Sequence, residues 1–224
     1  MRTRDHTVMR LWYLLVAVTV AVGFGLQFYL LFTGGADANS GESGSDIPLG
    51  VRFVRLFSYF TVASNVLVLV VAVATAAGRV RDGLVWRVVR LDALLSIAVT
   101  GIVFSFVLAP GIVLRDEAVI ATTLFHHVSP VLFVLGWLLW GPRAQWGLRS
   151  VLLAFVWPLA WLGYTFVRGA VTGWYPYPFL DVGQVGAGGA LTGAGAVLAC
   201  ALVLTGLVLL VDRHVPALGA APRG

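Results

Sequence analysis

Six long apolar runs divide this chain and restrict the folds open to it. They cover residues 11–32, 56–77, 91–109, 121–140, 151–167 and 190–211. A helix of about 20 apolar residues crosses the hydrocarbon core of a bilayer and satisfies its own backbone hydrogen bonds there. The composition, 59% hydrophobic and 11% charged, is far more apolar than that of a soluble domain. The sequence therefore predicts an all-α, polytopic membrane protein, with residues 1–224 forming one domain, a six-helix transmembrane bundle.

The arginines predict the orientation of this bundle, because short cytoplasmic loops accumulate positive charge. With the N-terminus inside, the inner segments hold most of the 15 basic residues: Arg2, Arg4, Arg10, Arg79, Arg81, Arg87, Arg90, Arg143, Arg149, Arg213 and Arg223. The outer segments hold Arg52, Arg55, Arg115 and Arg168. We expect both termini to be cytoplasmic. Since topology explains the net charge of +5, we expect no nucleic-acid partner.

Polar residues interrupt the second apolar run, where Ser58, Thr61 and Asn65 are spaced three and four apart. On one helix these side chains share a face, and in a bilayer that face must meet protein or a water-filled cavity. One interpretation is that they bond neighbouring helices. The other is a reactive Thr61, which needs a base from another span. The groups closest in sequence that would then stabilise an oxyanion are Ser58, Ser64 and Asn65.

The fourth run supplies the candidate base. It contains His126 and His127, and a histidine within a membrane span is costly unless it has a partner. Counted from the outer ends of their runs, Thr61 and His126 lie at a similar depth of ~8 Å, so the two can meet. Adjacent helical positions point about 100° apart, so only one of the two histidines can face the bundle centre. The alternative is that both imidazoles lie at the headgroup level.

A polar stripe marks the third run, where Asp92, Ser96 and Thr100 repeat every four residues. On a helix these side chains lie on one face, which predicts hydrogen bonds to a neighbouring helix. Because Asp92 is close to the predicted cytoplasmic end, we expect it to pair with Arg87 or Arg90. In the fifth run we expect a kink at Pro158.

The two longer outer loops differ in character. Residues 34–50 are rich in Gly, Ser and acids without apolar periodicity, which predicts a flexible loop. Residues 171–181 are rich in aromatic residues and proline, which is typical of a rigid interfacial cap or of a lid beside a lipid site. Asp181 would orient an imidazole if this loop folds inward. The aromatic residues expected to line a substrate site are Trp161, Tyr164, Trp174, Tyr175 and Tyr177.

These motifs together resemble those of a known family. The residues that carry the resemblance are Phe60-Thr61, the surroundings of His126, Thr172-Gly173-Trp174 and Tyr177-Pro178-Phe179-Leu180-Asp181. They are similar to motifs of the androgen-induced-gene family of multispanning membrane proteins, and more closely to those of its bacterial six-span relatives. The resemblance extends over residues 11–211 and includes the order and spacing of the apolar runs.

The resemblance implies an intramembrane threonine hydrolase that cleaves esters of fatty acids with hydroxy fatty acids. Thr61 corresponds by position to the family's nucleophile, and His126 to its histidine, with the adjacent His127 as the alternative. One position departs from the pattern, because animal relatives carry an acid further along the histidine's helix, where this chain has Gly136. A bacterial plasma membrane is the implied location.

The sequence thus predicts a lipid-ester hydrolase that acts from the outer leaflet, with Thr61 as nucleophile and His126 as general base. We expect no cofactor and no metal, since the four histidines show no metal-ligand spacing. The alternative is a non-enzymatic protein that binds or transports lipid, or a partner subunit, in which the same polar residues hold helices together. In either case the expected partner is a membrane lipid.

Overall fold

A computed structural model describes residues 3–79, 82–114 and 116–217 of this chain. Within them the regular structure is helical apart from one isolated bridge, which confirms the predicted all-α class. The α-helices are α1 (Thr3–Thr33), α2 (Leu49–Ser58), α3 (Phe60–Ala76), α4 (Leu84–Val103), α5 (Asp116–Thr123), α6 (Ser129–Trp140), α7 (Leu148–Ala154), α8 (Val156–Thr172) and α9 (Val182–His214). Four arginines of the topology argument lie outside the described residues, namely Arg2, Arg81, Arg115 and Arg223.

Five helical segments of the described chain are long and apolar enough to cross a membrane. A sixth crossing exists if the bent pair α2 and α3 counts as one. The five segments are Asp5–Thr33, Leu84–Gly111, Asp116–Trp140, Leu148–Thr172 and Val182–His214. Several apolar helices of this kind are consistent with a multi-pass membrane protein.

The second apolar run is not the single helix over residues 56–77 that its hydropathy predicts. The chain breaks at Tyr59, which has the extended backbone angles φ −72° and ψ 131°, and α2 meets α3 at 69°. On α2, Arg52 and Arg55 alternate with exposed apolar side chains such as Phe57. The arginine face of α2 is half-buried against residues 34–48, where Arg55 lies 3.6 Å from Glu42, and its apolar face is exposed.

The break also separates residues that were predicted to share one helical face. Ser58 is the last residue of α2, whereas Thr61 lies in the first turn of α3 and Asn65 one turn later. The predicted common face therefore holds for Thr61 and Asn65 and is wrong for Ser58. The depth of ~8 Å predicted for Thr61 assumes one straight helix from Leu56. It does not hold, because α2 and α3 are bent at Tyr59.

Prolines account for irregular turns in three of the spans. Pro110 and Pro130 each lie two residues after a π-helical turn, at Phe104–Leu108 and Leu124–Val128 respectively. Pro158 lies just after the break between α7 and α8. Proline has no N–H, so the carbonyl four residues earlier loses its helical partner and the helix widens or breaks before the proline.

Contacts between helix termini distinguish two ends of the bundle. At one, the side chain of Arg10 donates to the Ala76 carbonyl and that of Trp146 to the Arg87 carbonyl. We call this the arginine end. The opposite end carries the connections after α1 and after α8, and we call it the loop end.

Residues 34–48, predicted to be a flexible loop, lie at the loop end, and Asp37 and Ala38 among them are anchored to α1 and α5. The Gln27 side chain on α1 donates to Asp37 at 3.0 Å and accepts from the Ala38 N–H at 3.1 Å. The Ala38 carbonyl accepts a hydrogen bond from the Thr122 hydroxyl. Burial raises the pKa of Asp37, against the opposing effect of hydrogen bonds from Asn39. The composition of residues 34–48 alone does not indicate this packing, because the groups that anchor the segment lie on α1 and α5.

The helices form a packed centre and a loose periphery. α1, α3, α4 and α6 pack against one another, and α4 is the most buried of the long apolar segments. α8 and α9 lie outside this group, and very few residues of α8 lie close to α9. A cavity remains where α8 and α9 face α4.

The contact of α6 with α1 provides a test of this packing. A Cβ on Gly136 would lie 2.9 Å from Trp12 Nε1, which already donates to the Leu132 carbonyl. We expect Gly136→Ala to lower the free energy of unfolding by about 1–3 kcal/mol through overpacking. Thermal unfolding of the purified protein measures this change.

The matched control is Gly163→Ala on α8, where a Cβ would meet nothing within 4 Å. It should leave the melting temperature unchanged or slightly raised, because alanine restricts the unfolded chain. Equal losses in the two variants would contradict the described packing of α6.

Candidate functional site

The N-terminus of α3 is buried and needs hydrogen-bond acceptors. Tyr59 precedes it without a side-chain cap, and the first N–H groups of any helix have no partner within the helix. The hydroxyl of Tyr177, from the loop between α8 and α9, accepts from the Thr61 N–H at 3.2 Å. Tyr177 thus caps α3 from 116 residues away.

Thr61 projects from this helix start into a group of polar atoms. Its hydroxyl oxygen lies 3.2 Å from His126 Nε2 and 3.3 Å from the Tyr177 hydroxyl. All three side chains are almost completely buried. The structure therefore brings together the threonine and the histidine that the sequence suggested as a pair.

The second ring nitrogen of His126 determines which tautomer is present. Nδ1 lies 3.1 Å from the carbonyl of Thr122, and a carbonyl oxygen can only accept. Nδ1 therefore carries the proton, and Nε2 of the neutral ring is left as an acceptor for the Thr61 hydroxyl. Thr122 is in turn held by its hydrogen bond to Ala38.

The two π-helical turns meet at the imidazole. Phe104, the first residue of one turn, stacks on the His126 ring with centroids 3.8 Å apart and planes inclined at 24°. His127 is exposed, and its ring stands nearly perpendicular to that of the same phenylalanine, with the two centroids 5.5 Å apart. His126 is therefore the member of the histidine pair that contacts Thr61. Single π turns inside α-helices are frequent at functional sites.

The suggested oxyanion donors are occupied elsewhere. The Ser58 hydroxyl donates to the Val54 carbonyl and contacts the Tyr164 hydroxyl at 2.8 Å. The Ser64 hydroxyl donates to the Phe60 carbonyl at 2.7 Å. Both hydroxyls hold the helices in place and are not directed at Thr61.

Asn65 and Asp181 also have structural partners. The Asn65 amide donates to the Thr61 carbonyl at 2.9 Å and to the Phe125 carbonyl at 3.3 Å, which joins α3 to the histidine segment. Asp181 accepts from the Gly183 N–H at 2.8 Å and so caps α9. The role suggested for Asp181 in orienting an imidazole is taken by the Thr122 carbonyl.

A cavity extends from Thr61 between α4, α8 and α9. Room for the centre of a water-sized sphere amounts to about 80 Å³, and the whole space between the walls, open surroundings included, to about 820 Å³. Hydrocarbon side chains form most of its wall, among them Leu95, Val99, Val103, Leu162 and Val197. Its shape and lining suit an aliphatic chain better than a polar metabolite.

Of the five aromatic residues predicted to line a substrate site, two border this cavity. Trp161 and Tyr177 border the cavity. Tyr164 bonds Ser58, and Tyr175 packs against Phe166. Trp174 lies between the guanidinium groups of Arg55 and Arg168, at 5.1 and 4.6 Å from their carbon atoms.

Burial raises the pKa of Tyr177 to about 12, although hydrogen bonds from Thr61 and Phe60 oppose this effect. The phenol therefore keeps its proton at neutral pH and can donate it in a hydrogen bond. Among the described residues no three His, Cys, Asp or Glu side chains are grouped as metal ligands would be. Gly136, the position that departs from the family pattern, packs against Trp12 and Tyr13 at the α1 interface.

Three contacts of the site were not predicted from the sequence. They are the Tyr177 cap on α3, the Thr122 carbonyl behind His126 and the stacked Phe104. Pro110 and Pro130 are the sequence features that mark the two π turns, since each stands two residues after one. The Tyr177 contact has no comparable local signal.

Comparison of the chain with models of protein families, with curated proteins and with solved structures found no match.

The tautomer of His126 can be measured directly. In protein labelled with nitrogen-15 histidine, we expect His126 to show a protonated Nδ1 and an unprotonated Nε2, because Nδ1 donates to the Thr122 carbonyl. His126→Gln assigns the resonances. Thr61→Val should shift only the Nε2 signal, since it removes the donor at 3.2 Å. A proton found on Nε2 would contradict the described hydrogen-bond direction.

Proposed function

We propose that this protein is an intramembrane lipid-ester hydrolase that uses Thr61 as nucleophile and His126 as general base. The observation that carries the proposal is the 3.2 Å contact between the Thr61 hydroxyl and His126 Nε2, at the wall of an apolar cavity. A threonine hydroxyl is a weak nucleophile until an adjacent base takes its proton. The resemblance to the androgen-induced-gene family supports the same two residues.

In the first half of the reaction the Thr61 oxygen attacks the carbonyl carbon of the ester while its proton moves to Nε2 of His126. The tetrahedral intermediate collapses, the bond to the alcohol oxygen breaks, and the leaving alcohol takes the proton from Nε2. An acyl-Thr61 ester remains. In the second half, His126 takes a proton from water, the resulting hydroxide attacks the acyl carbon, and the proton returns to Thr61 as the fatty acid leaves.

The oxyanion needs hydrogen-bond donors, and the start of α3 offers them. The N–H of Thr61 points at the Tyr177 oxygen, and the Tyr177 hydroxyl itself has a proton to donate. A small shift of the Tyr177 ring would leave the carbonyl oxygen of a substrate facing these donors. Donors fixed by a helix and a buried ring need little reorganisation during the reaction.

Phe104 and Thr122 would stabilise the imidazolium that forms during each step. The Thr122 carbonyl accepts from Nδ1 on the far side of the ring. The Phe104 ring stacks on the imidazole with the two ring centroids 3.8 Å apart. The face of an aromatic ring attracts a cation. Neither group is a carboxylate. This agrees with Gly136, which stands where animal relatives of the resembling family carry an acid.

The proposed substrate is an ester with long hydrocarbon chains, of the fatty-acid–hydroxy-fatty-acid type. The loose contact between α8 and α9 would let such a chain enter the cavity sideways from the lipid. With both termini in the cytoplasm, as the arginines favour, the loop end faces the outer leaflet of a bacterial plasma membrane.

Two substitutions test the nucleophile and the base. We expect Thr61→Ala to abolish turnover of a palmitoyl ester of hydroxystearic acid, because no attacking oxygen remains. His126→Gln should lower kcat by roughly 10²–10⁴-fold, the usual contribution of a general base. Product release from purified protein in lipid nanodiscs measures both.

His127→Gln is the matched control, because this exposed neighbour does not contact Thr61, and it should keep the wild-type rate. A fluorophosphonate probe should label the wild type and the Ser64→Ala variant but not Thr61→Ala. Turnover that survives loss of both Thr61 and His126 would overturn the proposal. Saturable lipid binding by the wild type without any product would favour the non-enzymatic alternative.

Tyr177→Phe tests the oxyanion donors. Because the phenol oxygen and its proton are lost, we expect kcat to fall by roughly 10²–10³-fold with little change in KM. Steady-state kinetics on the same ester measures this, with Tyr175→Phe as the control. Melting temperatures of both variants separate a rate effect from loss of the α3 cap, which would cost about 1 kcal/mol. An unaltered kcat would remove Tyr177 from the mechanism.

A further inference from the structure

Asp92 lines the same cavity as Thr61, at its arginine end. Thr100 donates to Ser64 at 3.3 Å, which places Thr100 about one helical turn from Thr61. Asp92 lies eight residues before Thr100 on α4, which is ~12 Å closer to the arginine end at 1.5 Å per residue. Adding the turn from Ser64 to Thr61 gives an axial separation of ~16 Å between Asp92 and the proposed nucleophile.

The Asp92 carboxyl has no ion pair or hydrogen bond with any side chain or backbone group in the described ranges. It was predicted to pair with Arg87 or Arg90, and this is wrong for the described residues, where Asp92 makes no ion pair and is one of the residues that line the cavity. Asp92 is only 8% exposed. A carboxyl within a membrane span is costly without a partner, so its presence points to a ligand.

The surroundings limit what this ligand can be. Ser96, one helical turn from Asp92, also borders the cavity and has no hydrogen bond within the described residues. Between these two groups and Thr61, the wall is formed by hydrocarbon from residues such as Leu95 and Val99. A suitable occupant is an aliphatic chain with one polar group far from its ester.

A hydroxyl is the polar group that fits best. An ionised carboxylate needs a donor, whereas a protonated carboxyl also needs an acceptor, and a hydroxyl offers both. Ser96 can complete the second hydrogen bond in either case. An ammonium group has no acceptor and would satisfy only the ionised form of Asp92.

We propose that Asp92 and Ser96 bind a free hydroxyl, additional to the esterified one, that is carried deep on one hydrocarbon chain of the ester, so that the preferred substrates contain a remotely hydroxylated chain. An extended chain advances ~1.2 Å per bond, so ~16 Å corresponds to about 13 bonds from the ester carbonyl. Counted to the hydroxyl oxygen, 13 bonds place the hydroxyl on about the thirteenth carbon, so the site favours a hydroxyl near the twelfth to fourteenth carbon over one near the carboxyl end. This assignment of substrate class rests on the proposed hydrolase function.

Binding to the Thr61→Ala protein tests the proposal without turnover. In nanodiscs we expect methyl 12-hydroxyoctadecanoate to bind about tenfold more tightly than methyl octadecanoate, the value of one net hydrogen bond. Methyl 3-hydroxyoctadecanoate should show no such advantage. Asp92→Leu in the same background should bring the first two affinities within twofold of each other, and Ser96→Ala should reduce the preference.

Asp92→Asn guards against a folding defect, because the amide keeps the shape and can still bond a hydroxyl. It should retain part of the preference. Equal binding of the hydroxylated and plain chains, or a preference that survives Asp92→Leu, would overturn the assignment. A preference in a protein that hydrolyses no ester would support the Asp92 site and refute the hydrolase. Hydrolysis without any preference would support the hydrolase and refute the Asp92 site.

Discussion

The backbone of α3 begins inside the protein, and the need to satisfy its first N–H groups governs the site. Water and lipid cannot supply acceptors at a buried helix start, so another part of the chain must. Tyr177 does so, and its hydroxyl can reach α3 only because the loop between α8 and α9 folds inward. The same oxygen lies beside the Thr61 hydroxyl. One phenol oxygen therefore both caps α3 and borders the candidate site.

The histidine segment is arranged by a second backbone constraint. Pro130 removes the N–H that would bond the His126 carbonyl, and the π turn before it re-aims the side chains of that segment. Pro110 has the same effect on the segment that contains Phe104. The two widened turns then place a flat hydrocarbon ring on the imidazole. Two prolines at equal offsets thus account for the position of the candidate base.

Hydropathy was sufficient to predict the class of fold and the approximate helices, because the cost of exposing backbone to lipid leaves few alternatives. It could not reveal the break at Tyr59, since apolar residues continue on both sides of it. Thr61 and His126 could be proposed as a pair because polar groups in a membrane require partners. Tyr177 was expected as a lining residue, but its bond to Thr61 joins distant parts of the chain and has no local pattern. Asp92 was misjudged because proximity in sequence to arginine suggested a pair that the helix geometry does not make.

The poor contact between α8 and α9 has a practical consequence for biochemistry on this protein. Under the proposed function, a slit that admits a lipid tail from the side would equally admit the alkyl tail of a solubilising detergent, which would compete at millimolar concentration for the space beside Thr61. Extraction would then block this space reversibly without unfolding the protein. Preparations that look inert in micelles should regain their ligand once the surfactant is exchanged for a bilayer.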